Sequence, residues 1–147
     1  MKKLKPLGIK SYGSIPHISQ SRMGTGDHHC DPGMEIIATK KLRDRHDLVI
    51  VQEKLDGSNC AVAKVNGKIV ALGRSGYPAH TSPFVQHIYF ATWVQHNYNR
   101  FHRLLNEGER VVGEWLIQAH GTKYSLPHEP FVPFDLMKQA TRLRVGF

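Results

Sequence analysis

The hydrophobic and polar positions of this chain change period along its length, and those changes mark out its elements. Residues 1–34 are rich in Gly, Ser, Pro and His and show little periodicity. They predict an irregular N-terminal arm with one short strand at most, belonging to the same domain as the rest. Glu35-Ile36-Ile37-Ala38-Thr39 is a short apolar run that predicts a strand. Lys40 to Asp47 alternates in charge, as a solvated turn or short helix does. Leu48 to Gln52 predicts a further strand. Cys60–Lys64 and Lys68–Leu72 flank Asn66-Gly67. That pair predicts a hairpin, because a two-residue hairpin turn needs positive φ, which Asn and Gly tolerate best. Between Phe84 and Leu105 the period becomes helical. Phe90, Trp93-Val94, Asn97-Tyr98, Phe101 and Leu104-Leu105 recur at three- and four-residue steps, and Asn106-Glu107-Gly108 reads as the stop. Arg110 to Ile117 and Phe131 to Met137 read as two more strands. The pattern is α+β with a mainly antiparallel sheet, residues 35–147 forming the body of the domain.

Composition adds a partner class. At 147 residues with 40% hydrophobic side chains, the chain can bury a core. It has no apolar run long enough to cross a bilayer. Met1-Lys2-Lys3-Leu4-Lys5-Pro6 is charged but has no following apolar stretch, so no signal peptide is expected. Cys30 and Cys60 are too few for a disulfide framework, which fits free thiols in a reducing cytoplasm. The net charge of +8 favours a polyanion such as nucleic acid, although solubility alone would also account for it. Asp27-His28-His29-Cys30-Asp31 gathers metal-ligand types, but adjacent residues rarely converge on one ion, and the reading goes against zinc. The aromatic stripe of the helical region reads as sheet packing, with base stacking as the alternative.

The chemistry is concentrated in Glu53-Lys54-Leu55-Asp56-Gly57-Ser58-Asn59. A lysine at the end of an apolar run is placed to lose its proton, since a partly buried, cation-rich setting disfavours the ammonium. The Asp56-Gly57 turn that follows lets backbone amides approach a phosphate. A strand-end lysine pointing to water is the plain alternative.

K-x-D-G is the lysine motif of nucleotidyltransferases that form a lysine–NMP intermediate. Arg74-Ser75-Gly76-Tyr77, Gly113-Glu114-Trp115-Leu116, His120-Gly121-Thr122-Lys123-Tyr124 and Phe131-Val132-Pro133-Phe134-Asp135-Leu136 follow it in order. Together they resemble motifs I, Ia, III and IIIa of the RNA ligase family, most closely the branch that seals nicked duplex RNA. The likeness runs from about Asp47 to Met137. Tyr12-Gly13-Ser14-Ile15-Pro16-His17 and Ser21-Arg22 also resemble the N-terminal segment of bacterial RNA-ligase-like proteins.

The resemblance implies a nucleotidyltransferase (ATP-grasp-like) adenylation domain. It implies an ATP-dependent enzyme that forms lysyl-AMP on Lys54 and seals RNA 5′-phosphate to 3′-hydroxyl ends, in RNA repair. Glu53 would read the adenine edge, Asn59 orient the triphosphate, and Arg74 hold a ribose hydroxyl or phosphate oxygen. Glu114 would contact ribose or the catalytic Mg2+, and Phe134, or else Phe131, would stack on adenine. Each has a plainer reading: a surface ion pair for Glu53, a loop cap for Asn59, and a surface arginine for Arg74. Glu114 could equally form an internal ion pair with Lys123 or Arg74, and either phenylalanine could be core. The family continues into a carboxylate-containing motif IV and a two-lysine motif V, whereas only Lys138, Arg142 and Arg144 follow Met137 here. The sequence therefore reads as the front half of a ligase domain with its C-terminal part missing. Missing strands would leave a sheet edge suited to self-association or a complementing chain. The alternative function is a catalytically inactive nucleotide- or RNA-binding remnant. DNA as substrate, or GTP capping chemistry, is a weaker third.

Overall fold

The computed structural model describes residues 3–117 and 124–138. It divides into two compact units, Met1–Tyr12 with Leu55–Phe147, and Gly13–Lys54.

The larger unit is built on the expected hairpin. β1 (Ser58–Val65) and β2 (Lys68–Gly73) pair antiparallel through Asn66 at φ 51° and Gly67 at φ 72°. Two successive positive φ values give the turn the right-handed twist of its strands. The Glu107 carboxylate accepts from the backbone amides of both Asn66 and Gly67, the latter at 2.8 Å. Glu107→Ala should therefore loosen this turn. We expect a melting temperature lower by about 3–5 °C and faster amide exchange at Asn66 and Gly67, with the sheet otherwise intact.

β3 (Arg110–Trp115) pairs with the other side of β1, and β4 (Phe131–Met137) with β3, so the order is β2-β1-β3-β4, antiparallel throughout. This is the α+β arrangement with an antiparallel sheet that the sequence predicts, with the last two strands inside the segments expected for them. Side chains alternate between two apolar layers. Cys60, Val62, Ile69, Ala71, Trp115 and Phe131 meet the helices on one face. Ala61, Ala63, Leu72 and Val112 lie on the other, under Leu7 and Tyr12 of the N-terminal segment.

The helical region differs from expectation by a break. Instead of one helix there are two, α2 (Val85–His96) and α3 (Tyr98–Leu104), following a single 3-10 turn at Ala79–Thr81. (α1 lies in the smaller unit, below.) Asn97 interrupts them at φ −104° and ψ 15°, and its side-chain amide donates to the Trp93 carbonyl at 2.9 Å. A short polar side chain that bonds the backbone competes with helix continuation. The aromatic stripe is core. The Phe90 ring lies 5.3 Å from Trp115 and 5.2 Å from Phe131, and Phe101 and Leu105 are buried beside them, whereas Leu104 is exposed.

In the smaller unit the strand expected over residues 35–39 is a helix, α1 (Pro32–Thr39). Asp31 caps it by accepting from the Gly33 amide at 2.8 Å, and Pro32 sits in the first turn, where no helical N–H bond is lost. Glu35 accepts from the Ser19 hydroxyl at 2.6 Å and the Ser19 amide at 3.0 Å, which hold its carboxyl below the usual carboxylate range. The charged stretch before Asp47 is a solvated turn, with Arg43 on Asp47 at 2.9 Å.

The strand expected over residues 48–52 does not form. No strand pairs with these residues among those described, and Leu48 and Val51 are 88% and 89% exposed. An apolar run without a cross-strand partner gains neither ladder bonds nor burial. No residue between 13 and 54 is buried. Among the described residues no helix is long and apolar enough to cross a membrane.

Candidate active site

The turn that leads into β1 is held from two sides. The Asp56 amide donates to the Tyr124 hydroxyl at 2.9 Å, and the Gly57 amide donates to Glu114 Oε1 at 3.0 Å. Gly57 also packs on β3. A Cβ there would lie 2.3 Å from the Trp115 carbonyl oxygen. A glycine is thus required by close backbone approach, as the Asp-Gly turn suggested, although its amide serves Glu114.

Pairing sets the next residues in a row. Asn59 faces Glu114 in register, and Glu114 faces Val132. Arg74 is the first residue after β2, whose last residue, Gly73, pairs with Cys60. Period-two alternation puts Asn59 and Glu114 on the same face as Ala61 and Val112, away from the helices. Asn59 Oδ1 is buried and has no hydrogen-bond partner among the described residues. An orphaned acceptor of this kind awaits a donor or a cation. Burial first, and the Glu114 carboxylate second, push the Cys60 thiol up, so this neighbour stays protonated and inert.

β4 completes the row by means of a bulge. Val112 pairs with Asp135 but Gly113 pairs with Pro133, so Phe134 is the extra residue. Pro133 has no N–H to continue the ladder. A bulge resets the alternation, and Phe134 and Asp135 both face the Asn59–Glu114 side. Leu136 then returns to the helical layer and Met137 to the other. The two phenylalanines lie on different faces of the sheet. Phe131 is buried among Phe90, Trp93 and Trp115, whereas Phe134 is 36% exposed on the face of the polar row.

Glu53 and Lys54 end the other unit, both exposed, with Lys54 three residues ahead of Gly57 along the chain. Lys54 is not half-buried as its apolar run suggested, because that run forms no strand. His120 and Lys123 lie outside the described residues, and with them the suggested Glu114–Lys123 ion pair. Of that motif Tyr124 is described, on the Asp56 amide.

Sequence reasoning gave no role to Ser11, Tyr12 or Arg110. The Tyr12 hydroxyl donates to Asp135 Oδ2 at 2.5 Å, and its ring meets Phe134 edge-on, with centroids 5.4 Å apart. Arg110 Nε donates to the Ser11 carbonyl at 2.8 Å, and burial lowers the guanidinium's pKa. The Tyr12-Gly13-Ser14 resemblance was the available signal for the tyrosine.

No group of three or more His, Cys, Asp and Glu side chains is gathered to hold a metal ion among the described residues. A Mg2+ bound mainly by phosphates and water needs only one or two carboxylates, and Glu114 is a donor of the right chemistry.

An antiparallel sheet with helices on one face and a polar row ending in an exposed aromatic on the other defines an α+β domain with its candidate site on the sheet. The chain belongs to the RNA ligase family: the model of that family, described as RNA ligase, matches residues 47–145. No curated protein and no solved structure matches the chain.

Proposed function

We propose that this protein is an ATP-dependent RNA ligase-type nucleotidyltransferase, with an adenylation domain of ATP-grasp-like type, acting on nicked or broken RNA in the cytoplasm. The observation that carries the reading is the facing pair Asn59 and Glu114, with Phe134 on the same face, beside the Gly57 turn in a chain of this family. Lys54 Nζ, once deprotonated, attacks the α-phosphorus of ATP. A P–N bond forms, the bond to the β-phosphate oxygen breaks, and pyrophosphate leaves. The AMP passes to an RNA 5′-phosphate, and an RNA 3′-hydroxyl then displaces it to seal the strand.

Phe134 offers a ring face to the adenine and Glu53 reads its edge. Asn59 orients the triphosphate, its orphaned Oδ1 suiting a ribose hydroxyl or a hydrated cation. Arg74 holds a phosphate oxygen or ribose hydroxyl through its fork of donors. Glu114 is the carboxylate for Mg2+, which when bound neutralises charge on the leaving pyrophosphate. The positive net charge supports an RNA partner.

The test is incubation of the purified chain with α-labelled ATP and magnesium. Label that survives denaturation and is discharged by added pyrophosphate supports the reading. A folded chain that takes no label leaves the second reading, nucleotide or RNA binding without ligation, which the exposure of Lys54 favours.

A further inference from the structure

Residues 9–12 are tied to the turn that follows β2, to β3 and to β4. Gly76, at φ 90°, has no room for a Cβ, which would meet the Ile9 carbonyl oxygen at 2.1 Å. The Ser11 and Tyr12 amides both donate to the Arg74 carbonyl, at 3.0 and 3.3 Å. Arg110, buried on β3, donates to the Ser11 carbonyl. Tyr12 then reaches β4 with its hydroxyl on Asp135 and its ring in a T-shaped contact with Phe134, at an interplanar angle of 70°. Tyr12 itself is 7% exposed, whereas Phe134 is 36% exposed.

We propose that Tyr12 is a positioning residue for the nucleobase: it fixes the Phe134 ring, through their edge-to-face contact and its bond to Asp135, as a preset platform for a planar base. This rests on the reading of Phe134 as the base-stacking residue. An exposed phenylalanine on a bulge would otherwise spend part of its binding free energy on becoming ordered. The T-shaped contact restricts the plane of the Phe134 ring. The phenol–carboxylate bond pins the next residue, so the bulge itself cannot slide in register. Tyr12 is too buried to stack on the base itself. Its influence therefore belongs to base binding and not to phosphate binding.

The experiment compares equilibrium binding of ATP and of inorganic triphosphate to the full chain and to Tyr12→Phe, Tyr12→Leu, Phe134→Ala and Tyr12→Leu/Phe134→Ala. We expect Tyr12→Leu to weaken ATP binding by about tenfold while inorganic triphosphate changes less than about twofold. Tyr12→Phe, which keeps the ring and loses the Asp135 bond, should fall between it and the wild type and guards against misfolding as the cause. In the Phe134→Ala background, Tyr12→Leu should add less than about twofold, because residues acting as one unit are not additive. Equal losses for ATP and triphosphate, or full additivity with Phe134→Ala, would show a merely structural tyrosine and overturn the proposal. If Phe134→Ala weakens ATP binding and Tyr12→Leu does not, the proposal alone falls. If Phe134→Ala leaves ATP binding unchanged, the base-stacking reading falls and the proposal with it.

Discussion

Lys54→Ala is expected to leave no covalent nucleotide on the chain, a loss of at least about a thousandfold in labelling rate. The reaction needs an amine at one point in the chain, ahead of the Asp56-Gly57 turn, and alanine supplies none. Lys54→Arg should fail equally, because a guanidinium keeps its proton throughout the working range and cannot become the nucleophile. Cys60, the nearest thiol in sequence, cannot substitute. It is fully buried on the helical face, and burial pushes its thiol up, away from the reactive thiolate. Since Lys54 is exposed, its removal should leave unfolding by urea unchanged within about 0.5 kcal/mol, so lost labelling would not be lost folding. Label persisting on Lys54→Ala at the wild-type rate would sink the assignment and direct attention to another lysine.

The features behind that prediction were unequally visible in the sequence. The hairpin, β3 and β4 were legible because apolar runs and an Asn-Gly turn are local signals, complete within a dozen residues. The facing of Asn59 and Glu114 comes from the pairing of their strands. The break at Asn97 was not legible, because an asparagine on a helical face reads the same whether its amide points to water or back to Trp93. α1 was misread for another reason. Ile36-Ile37-Ala38 is too short to distinguish the two periods, and the helix start signal, Asp31-Pro32, lies outside that run. Leu48–Val51 has the composition of a strand, yet strand formation depends on a partner, and composition does not supply one. The bulge that turns Phe134 and Asp135 to one face belongs to this class too. It arises where Pro133 meets the backbone of Gly113, and pairing is not written in either segment alone. Tyr12 lies far along the chain from Phe134, so only the assembled sheet brings its role into view.

Gly57→Ala should strongly destabilise the larger unit, with a loss of about 2–4 kcal/mol in urea unfolding and labelling abolished even in the fraction that stays folded. The new methyl would lie 2.3 Å from the Trp115 carbonyl oxygen and 3.1 Å from Leu116 Cδ2. A side chain could rotate away from such a contact, but the nearest atom is backbone. That backbone is held by the Ser58–Trp115 pairing and by the Trp115 side chain, fully buried against Phe90. Relief therefore requires the start of β1 to move off β3, which breaks the Gly57–Glu114 bond and displaces the turn after Lys54. Two controls separate this from ordinary glycine effects. Gly13→Ala meets nothing within 4 Å and should cost little. Gly67→Ala also has open space but sits at φ 72°, so it should cost about 1 kcal/mol through backbone strain alone. The steric argument orders the three as Gly57, Gly67, Gly13. If Gly57→Ala unfolded at the same urea concentration as Gly67→Ala, the close approach of the turn to β3 would be wrong, and with it the coupling of Glu114 to the lysine motif.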